Sequence, residues 1–476
     1  MPINRVEIVF ETFGYNKVIH FVGIGGIGVS GLAEIMLSMG YIVKGSDRTR
    51  SANTERLEKL GIKVFDGHEE KNVGEADVVV YSSAIKQDNP ELLYAKKLKI
   101  PVITRAEMLS QIIRFKKSIV VAGSHGKTTT TAICAVILEM ASFYPTIVNG
   151  GVINSYNTNA KLGKGDWAVV ESDESDGSFT HFFPTIGIVT NIDCEHINYY
   201  GDFENLKNAF KDFIKNTPFY GCCIVCVDDQ NIKEVVSGVS DRRIVTYSID
   251  DPEAMYRAID IKKTSQGSTF NILIRNGKEE IIRDISIPML GNHNIENSLA
   301  AVVMSKELDI DIEIVKMALA GFTGVNRRFT YIGNIKGGVK VVDDYAHHPT
   351  ELESVLDSAH QATEKRIAVI FQPHRFTRLN NLFDEFVKIL SKPYMRIITP
   401  VYKADDSDSG LLTSDDLFIA LSAIENTFFI NNEKELEDLI VNLIESGKLS
   451  TGDFLLFAGA GSISKWAHSI VNKIGE

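Results

Sequence analysis

Short apolar runs alternate with longer amphipathic stretches along most of the chain. Near the N-terminus the apolar runs are "VIHFV", "IVKGSD", "ADVVVYSSAI" and "IPVIT", and the stretches between them have helical spacing. Such alternation is typical of strand–helix–strand units, which assemble into parallel sheets. The pattern therefore predicts an α/β fold.

The same pattern restarts twice, at "KKSIVVAGSHGKTTTTAICAVIL" and at "GGVKVVDDYAHHPTELESVL". A chain of 476 residues is also too long for a single hydrophobic core. We therefore predict three α/β domains in series, comprising residues 1–115, 116–329 and 330–476.

Composition and charge narrow the possible partners. Apolar residues make up 44% of the chain, and no apolar run approaches the roughly 20 residues that cross a bilayer. The start, "MPINRVEIVFETFG", has no signal-peptide core, so we predict a cytoplasmic protein with no membrane insertion. With a net charge of −12 and no basic stripe with interleaved aromatic residues, we expect no nucleic-acid partner.

Three of the five cysteines lie in "GCCIVCVDD", where Cys223 and Cys226 have C-x-x-C spacing. A zinc or redox site would need a second Cys or His pair nearby, and none follows at ligand spacing. We interpret the segment as a buried strand in which cysteine serves as a small hydrophobic residue.

A first glycine loop lies in "HFVGIGGIGVSG". An apolar strand runs into Gly23, Gly25 and Gly28, the spacing of a dinucleotide-binding loop, and Asp47 follows about twenty residues later. An NAD-dependent dehydrogenase is one interpretation. Binding of a different nucleotide is the other.

A second loop, "AGSHGKTTTT", also follows a strand and opens a helix, which is the context of a phosphate-binding loop. It is shorter than the usual form because Val121 occupies the position of the first glycine. We expect Lys127 to reach the β- and γ-phosphates of ATP, and the Thr128 hydroxyl to bind Mg²⁺. A P-loop protein with a purely regulatory role would share this loop.

Acidic residues follow two neighbouring predicted strands. The first cluster, "ESDESD", contains Glu171, Asp173, Glu174 and Asp176, and the second, "NIDCEH", contains Asp193, Glu195 and His196. Ligands of parallel sheets bind at the carboxyl ends of strands, so both clusters are candidates for a metal–phosphate site, with Glu171 the preferred ligand. A solvated acidic loop is the alternative.

In the third block, His347 and His348 stand directly before Pro349, which suits the first position of a helix. Each of these histidines could either position a substrate or cap the helix. Arg375 and Arg378 in "FQPHRFTR" are spaced to share a helix face, where guanidinium groups suit a carboxylate or a phosphate. A surface ion pair is the alternative. Arg327 and Arg328 are similar candidates, with hinge packing as the alternative.

Together, "GSHGKTTTT", "ESDESDGSF", "TNIDCEHINYYGDF", "LGNHNIENSLAA" and "RRF" resemble the Mur ligases of bacterial cell-wall synthesis. Three further segments, "DDYAHHPTE", "FQPHRFTR" and "GAGSI", resemble the branch that adds L-alanine. The resemblance runs from Gly23 to about Lys465. It implies a Rossmann-like N-terminal domain for a UDP sugar, a central P-loop ATPase domain and a Rossmann-like C-terminal domain.

The activity implied is ATP-dependent joining of L-alanine to the lactyl carboxylate of UDP-N-acetylmuramate through an acyl phosphate, with ATP and Mg²⁺ as cofactors, by a monomer or weak homodimer. The recycling branch, which adds a tripeptide to the same sugar nucleotide, is the alternative within the family.

The resemblance also implies roles for individual residues. For the UDP sugar these are Gly23, Gly25, Gly26, Gly28, Asp47, His68, Ser82 and Ser83. For ATP they are Gly123, Ser124, His125, Gly126, Lys127, Thr128, Thr129, Asn292, His293, Asn294, Asn297 and Arg328. Thr128 and Glu171 would hold one Mg²⁺ and His196 a second. The catalytic set is Lys127, His196, His348, Arg375 and Arg378.

Some of these residues have plainer alternatives, since Asn294, Asn297 and several residues of the UDP-sugar set could simply cap helices. The chain departs from the family at "VYKADDSDSG", where an Ala-Gly-Glu run is common. Asp405 and Asp406 keep the acidic character of that run, but its glycine is absent.

Overall fold

The computed structural model describes residues 17–82, 84–404, 406 and 410–475. Ser83 and Asp405, both named above, lie outside them. Contacts divide the chain into two compact units, which are described separately below. The first contains Met1–Ile259, Asn271–Ile285 and Glu296–Thr323, and the second contains Asp260–Phe270, Ser286–Ile295 and Gly324–Glu476. The three predicted domain boundaries stay predictions.

A parallel five-stranded sheet lies nearest the N-terminus, and the strands follow the order β3-β2-β1-β4-β5. The strands are β1 (Val18–Val22), β2 (Ile42–Asp47), β3 (Lys63–Asp66), β4 (Val78–Tyr81) and β5 (Val102–Thr104). The helices are α1 (Ile27–Ser38), α2 (Ala52–Lys59), α3 (Glu70–Val73), α4 (Pro90–Lys97) and α5 (Arg105–Ile113). The strand order reverses at β1, so the loops after β1 and β4 lie side by side, where open sheets bind ligands.

The second sheet has ten strands in the order β15-β14-β13-β12-β11-β10-β6-β9-β7-β8. They are β6 (Lys117–Ala122), β7 (Thr146–Ile153), β8 (Thr158–Lys161), β9 (Trp167–Glu171), β10 (Ile186–Val189), β11 (Cys222–Cys226), β12 (Ile244–Ser248), β13 (Tyr256–Thr264), β14 (Gly267–Asn276) and β15 (Lys278–Ile287). The helices are α6 (Lys127–Met140), α7 (Ile197–Tyr200), α8 (Phe203–Lys215), α9 (Gln230–Ser237), α10 (Asn292–Glu307) and α11 (Ile312–Ala320). A short 3₁₀ helix spans Ser178–His181.

The third sheet has six strands in the order β16-β17-β21-β18-β19-β20, parallel except for the β16–β17 pair. They are β16 (Thr330–Ile335), β17 (Val339–Asp344), β18 (Ile367–Phe371), β19 (Met395–Ile398), β20 (Thr427–Phe429) and β21 (Phe454–Ala458). The helices are α12 (Pro349–Ala362), α13 (Phe376–Asn381), α14 (Phe383–Leu390), α15 (Ser414–Leu421), α16 (Glu433–Glu445) and α17 (Ile463–Ile474).

The α/β prediction is confirmed, and local sequence explains where several elements begin. Ser51 and Thr104 open α2 and α5 with capping boxes, in which the side chain binds the backbone three residues on and the third residue binds back. The cysteine segment forms β11, and all five of its residues are buried, as predicted. Among the described residues no helix is long and apolar enough to cross a membrane.

Candidate active site

The first glycine loop lies between the carboxyl ends of β1 and β2. Gly23 has a φ of +78°, and the backbone N–H of Gly25 donates to Asp47 Oδ2 at 2.9 Å. Asp47 therefore holds the loop itself rather than standing apart from it. Gly26 is the residue before α1, whose N-terminus points into the loop region, and its backbone N–H donates to the Gly23 carbonyl oxygen at 3.2 Å. Exposed N–H groups at a helix start are suited to phosphate oxygens.

Of the residues predicted for the UDP sugar, Ser82 lies beside the glycine loop, whereas His68 lies in a buried network. The backbone N–H of Ser82 donates to the Val22 carbonyl oxygen at 3.2 Å, which sets this residue beside the glycine loop. The side chain of His68 is 7% exposed and belongs to a buried network. Its Nδ1 lies 3.0 Å from Ser46 Oγ and 3.5 Å from the carboxylate of Glu91.

Glu91 is the centre of this network. Its carboxylate accepts hydrogen bonds from Ser46 Oγ at 2.5 Å and from Asn72 Nδ2 at 2.7 Å, and His20 Nε2 lies 3.3 Å away. Burial alone would raise the pKa of Glu91, but hydrogen bonds from His20, His68 and Ser46 outweigh it and hold the pKa well below its usual range. Nothing in the local sequence marks Glu91, because its partners come from three separate segments of the chain, around His20, Ser46 and residues 68–72.

The second loop has the geometry of a phosphate loop. Gly123 and Gly126 have φ values of +133° and +82°, and α6 begins at Lys127 directly after them. A Cβ on Gly126 would lie 2.5 Å from Asn297 Oδ1, so only glycine fits without displacing that side chain. Thr128 and Thr129, the next two residues of α6, are buried against the loop.

Lys127 turns back across this loop. Its Nζ donates to the carbonyl oxygens of Gly123 and Ser124, at 2.5 and 3.0 Å, and lies 2.8–3.0 Å from the two carboxylate oxygens of Glu174. Burial would lower the pKa of Lys127, but Glu174 and Asp173 outweigh it and raise the pKa. Lys127 therefore holds its charge beside the N-terminus of α6.

Thr128 and Glu171, which the resemblance assigns to one Mg²⁺, are in direct contact. Thr128 Oγ1 donates to Glu171 Oε1 at 2.9 Å, because β6 and β9 are neighbours and Val121 pairs with Glu171. A hydroxyl and a carboxylate at the start of α6 are hard oxygen donors, which Mg²⁺ prefers. The donor set therefore fits a magnesium ion bound beside a triphosphate.

His196 lies in a second group of candidate ligands. One donor atom each of Glu174, Glu195 and His196 lie within 4.8 Å of one another. His196 Nε2 is 3.7 Å from Glu174 Oε1, and the residue has a φ of +58°, which is rare for a side-chain-bearing residue. Burial raises the pKa of Glu174 to about 7, with Lys127 opposing the rise. Two carboxylates and one imidazole also fit a divalent cation.

Sequence reasoning missed the residues that shape the loop from the neighbouring strand. Asn191 Oδ1 accepts the His125 backbone N–H at 2.8 Å, and Thr190 Oγ1 donates to the His125 carbonyl oxygen at 2.6 Å. His125 Nε2 lies 2.9 Å from Asp193 Oδ2. Ser124 Oγ accepts the Asp193 backbone N–H at 2.8 Å. Their position at the end of β10, which pairs with β6, was the signal that could have found Thr190 and Asn191.

The asparagines of α10 separate into two roles. Asn297 Oδ1 accepts a hydrogen bond from Thr130 Oγ1 at 3.0 Å, so it supports the phosphate loop rather than capping its own helix. Asn294 Nδ2 donates to the Leu290 carbonyl oxygen at 2.7 Å, which ties the start of α10 to the preceding turn. This contact is not an N-cap, because a capping side chain accepts a backbone N–H. Asn292, the first residue of α10, is exposed.

In the second unit, His293 and Arg328 are electrostatically coupled. Burial, and to a lesser extent the positive charges of Arg328 and Lys263, together lower the pKa of His293 to about 4. Arg328 lies over the ring of Tyr345, 5.4 Å from its centroid, and Arg327 is 4.7 Å from the same centroid. A neutral imidazole offers both a donor and an acceptor, as an adenine edge requires.

His348 caps α12. Its Nδ1 accepts the backbone N–H of Thr350 at 3.4 Å, and Glu351 binds back to the backbone N–H groups of His347 and His348. Capping is thus observed for His348, while its predicted catalytic role stays a prediction. The neighbouring His347 ring packs edge-on against Tyr345 and His374.

Arg375 and Arg378 follow β18 at its carboxyl end. Arg375 is exposed, with a φ of +67°, and Arg378 Nη1 lies 3.4 Å from His374 Nδ1. The planar guanidinium group of each arginine is suited to a carboxylate or a phosphate. Burial, with smaller contributions from His347 and the nearby arginines, lowers the pKa of His374 to about 3.

Comparisons with known proteins cover nearly the whole chain. Three family models match in sequence order: Mur ligase family, catalytic domain, over residues 18–117; Mur ligase middle domain over residues 121–305; and Mur ligase, glutamate ligase domain, over residues 327–461.

Named relatives agree with these matches. The UDP-N-acetylmuramate–L-alanine ligase of Brucella anthropi is 43% identical, covering 96% of this chain and 97% of that protein. The ligase of the same name from Phenylobacterium zucineum is 44% identical, covering 99% and 98%.

Solved structures share the fold. The UDP-N-acetylmuramate–alanine ligase of Thermotoga maritima has a TM-score of 0.81 at 31% identity and covers 96% of this chain and 98% of that one. A murein peptide ligase of Psychrobacter arcticus has a TM-score of 0.74 at 21% identity, over 97% and 99%. The predicted three-domain architecture is confirmed, and the chain belongs to the Mur ligase family.

Proposed function

We propose that this chain joins L-alanine to the lactyl carboxylate of UDP-N-acetylmuramate at the expense of ATP, in the synthesis of peptidoglycan precursors. The observation that carries the proposal is its near-full-length similarity, at 43–44% identity, to ligases named for this reaction. The phosphate loop, with a lysine and two groups of oxygen ligands beside it, supplies the chemistry that such a reaction needs.

A carboxylate resists attack by an amine because it would have to expel oxide. Transfer of the γ-phosphoryl group of ATP to a carboxylate oxygen gives ADP and an acyl phosphate, whose leaving group is phosphate. The amine of alanine then attacks the carbonyl carbon, loses a proton, and expels phosphate from the tetrahedral intermediate. The carboxylate and the triphosphate are both anions, so positive charge is required between them.

We assign the first part of this charge to Lys127, whose Nζ is preorganised over the loop by the Gly123 and Ser124 carbonyl oxygens. Thr128 and Glu171 would hold one Mg²⁺, and His196 with Glu174 a second. When bound, these ions would neutralise phosphate charge. Glu174, a member of the acidic cluster in which the sequence favoured Glu171, contacts both Lys127 and His196.

We assign the sugar nucleotide to the first sheet, where the loop Gly23–Gly28 would hold the pyrophosphate of UDP. A dehydrogenase would leave the second phosphate loop without a role. We assign the amino acid to the third sheet, with Arg375 and Arg378 binding its carboxylate. ATP, Mg²⁺, a cytoplasmic location and domain boundaries near residues 115 and 330 complete the proposal.

Phosphate release is the direct test. The purified chain is incubated with ATP, Mg²⁺ and UDP-N-acetylmuramate, and L-alanine, glycine, L-serine or the L-Ala–D-Glu–diaminopimelate tripeptide is added in turn. We expect rapid phosphate release only with both sugar nucleotide and L-alanine present, together with a UDP-sugar product heavier by one alanyl residue. Release that depends on the tripeptide in preference to L-alanine would assign the chain to the recycling branch.

A further inference from the structure

The arginine turn, defined here as His374–Arg378, has an unusual backbone. Arg375 has φ +67° and ψ 136°, a combination that side-chain-bearing residues rarely adopt. Such a conformation persists only where surrounding contacts determine it. The turn carries both guanidinium groups assigned above to the amino-acid carboxylate, so whatever fixes its backbone also fixes their position.

Tyr402 makes the contacts that fix it. The Arg375 backbone N–H donates to the Tyr402 carbonyl oxygen at 2.9 Å, and the Tyr402 N–H donates to the Pro373 carbonyl oxygen at 2.8 Å. The rings of His374 and Tyr402 stack, with centroids 5.6 Å apart and planes 10° from parallel. The two residues also form an isolated parallel bridge.

Gly461, in the loop between β21 and α17, leaves space for the Tyr402 ring. A Cβ on Gly461 would lie 2.5 Å from Tyr402 Cγ and 2.5 Å from Gln372 Oε1. Gln372 in turn accepts the Ile463 backbone N–H at 3.1 Å and donates to Ser462 Oγ at 3.1 Å. The ring of Tyr402 is therefore seated on the segment that opens α17.

Asp406 holds the other end of the turn. Its Oδ2 accepts both the backbone N–H and the hydroxyl hydrogen of Thr377, each at 2.8 Å. Thr377 lies between the two arginines, at the start of α13. Tyr402 and Asp406 thus contact the arginine turn on both sides of Arg375.

We propose that Tyr402 and Asp406 are positioning residues for the amino-acid substrate: Tyr402 acts through His374 and Arg375, and Asp406 acts through Thr377, to hold the two guanidinium groups where a carboxylate binds. This inference rests on the proposed function and deepens it. It also gives a role to the segment that departs from the family, because Asp406 supplies a carboxylate to Thr377 although the glycine before it is absent.

The first test separates the KM for L-alanine from the other kinetic constants. We expect Tyr402→Ala to raise the KM for L-alanine by at least about tenfold, since small misplacements of binding groups have large effects. The KM for ATP and for the sugar nucleotide should change less than about threefold. Tyr402→Phe, which keeps the stacked ring and the backbone contacts, should restore most of the wild-type KM. Asp406→Asn should raise the same KM and serves as a second variant should Tyr402→Ala fail to fold.

Tyr394→Ala is the matched control. Tyr394 is exposed to nearly the same extent as Tyr402, 37% against 41%, and its ring also supports an arginine, Arg366, at 5.1 Å. It lies outside the proposed site, so its removal should lower the melting temperature without a selective change in the KM for L-alanine. The same pattern for Tyr402→Ala, a lower melting temperature with the KM within about twofold of wild type, would overturn the proposal.

A double-mutant cycle tests whether Tyr402 acts through Arg375. In an Arg375→Lys background, Tyr402→Ala should raise the KM for L-alanine far less than it does alone, whereas independent effects would multiply. Multiplicative effects would reject the proposed route. Wild-type activity separates the two hypotheses: a wild type that shows no L-alanine-dependent phosphate release contradicts the proposed function, while an active wild type with an unaffected Tyr402→Ala variant contradicts only the positioning role.

Discussion

Lys127 Nζ lies among two loop carbonyl oxygens and the Glu174 carboxylate, and we propose that its charge faces the phosphates of ATP. We expect Lys127→Ala to reduce kcat for ligation by roughly a hundredfold to a thousandfold, the usual effect of removing one preorganised group at a developing charge. Affinity for the sugar nucleotide, measured by calorimetry, should change little, since its proposed loop belongs to another sheet. Turnover within about tenfold of wild type would contradict the phosphate-loop assignment.

The buried hydrogen bonds of the Glu91 carboxylate stabilise the folded protein. We expect Glu91→Gln to lower the free energy of unfolding by about 3 kcal/mol at pH 7, because an amide leaves the buried donors of Ser46 and Asn72 poorly paired. Glu353→Gln, which affects an exposed pair with Lys392, is the control and should cost less than about 1 kcal/mol. Urea unfolding measures both variants.

The same network predicts a pH dependence. The pKa of Glu91 in the folded protein is well below that of an unfolded chain, about 4.3, so its stabilisation is complete above that value and declines as the pH falls below it. The difference in unfolding free energy between wild type and Glu91→Gln should therefore be smaller at about pH 3.5 than at pH 7. An unchanged difference would show that Glu91 is not ionised in the folded protein.

At the scale of elements, the β6–α6 connection depends on glycine for two separable reasons. Gly126 has a φ of +82° and its Cβ position is occupied by Asn297, whereas Gly277, in the β14–β15 turn, has a φ of +80° and open space around it. Both alanine variants should lose about 1–2 kcal/mol of stability from the backbone conformation. Only Gly126→Ala should also raise the KM for ATP, because it displaces Asn297 from Thr130. Equal KM values for the two variants would mean that loop shape does not govern ATP binding.

Secondary-structure elements are the features of the fold that the sequence predicted best. Strands, both glycine loops and the start of α6 follow from apolar runs and from residues with special backbone freedom, which are local properties. Asn297 and His348 show the limit of prediction from local sequence. Both stand near a helix start, yet Asn297 supports a distant loop while His348 caps its own helix. The same local signal had two outcomes because Asn297 lies inside α10 and faces Thr130 of α6, whereas His348 is the residue directly before α12.

At the scale of the whole molecule, two nucleotide sites are proposed on two different sheets. We expect the full-length chain to bind UDP-N-acetylmuramate in the absence of ATP and to show no NADH binding that NAD displaces, since the first loop is assigned to a UDP pyrophosphate and not to a dinucleotide. Calorimetric titration with each ligand measures this. Micromolar NADH binding would restore the dehydrogenase interpretation of Gly23–Gly28.

By itself, the sequence determined the α/β class, both loops and the acidic strand ends, and its long motifs identified the family. All of these depend on residues close together in the chain. The tertiary structure decided which groups meet: Glu174 with Lys127, Asn191 with His125, His68 with Glu91, and Tyr402 with His374. These pairs join residues up to 66 positions apart in the sequence, and the strand order brings them together. The residues of these pairs lie in helices and in the loops beyond strand ends, so the topology of the sheets, and no local pattern, decides which of them meet.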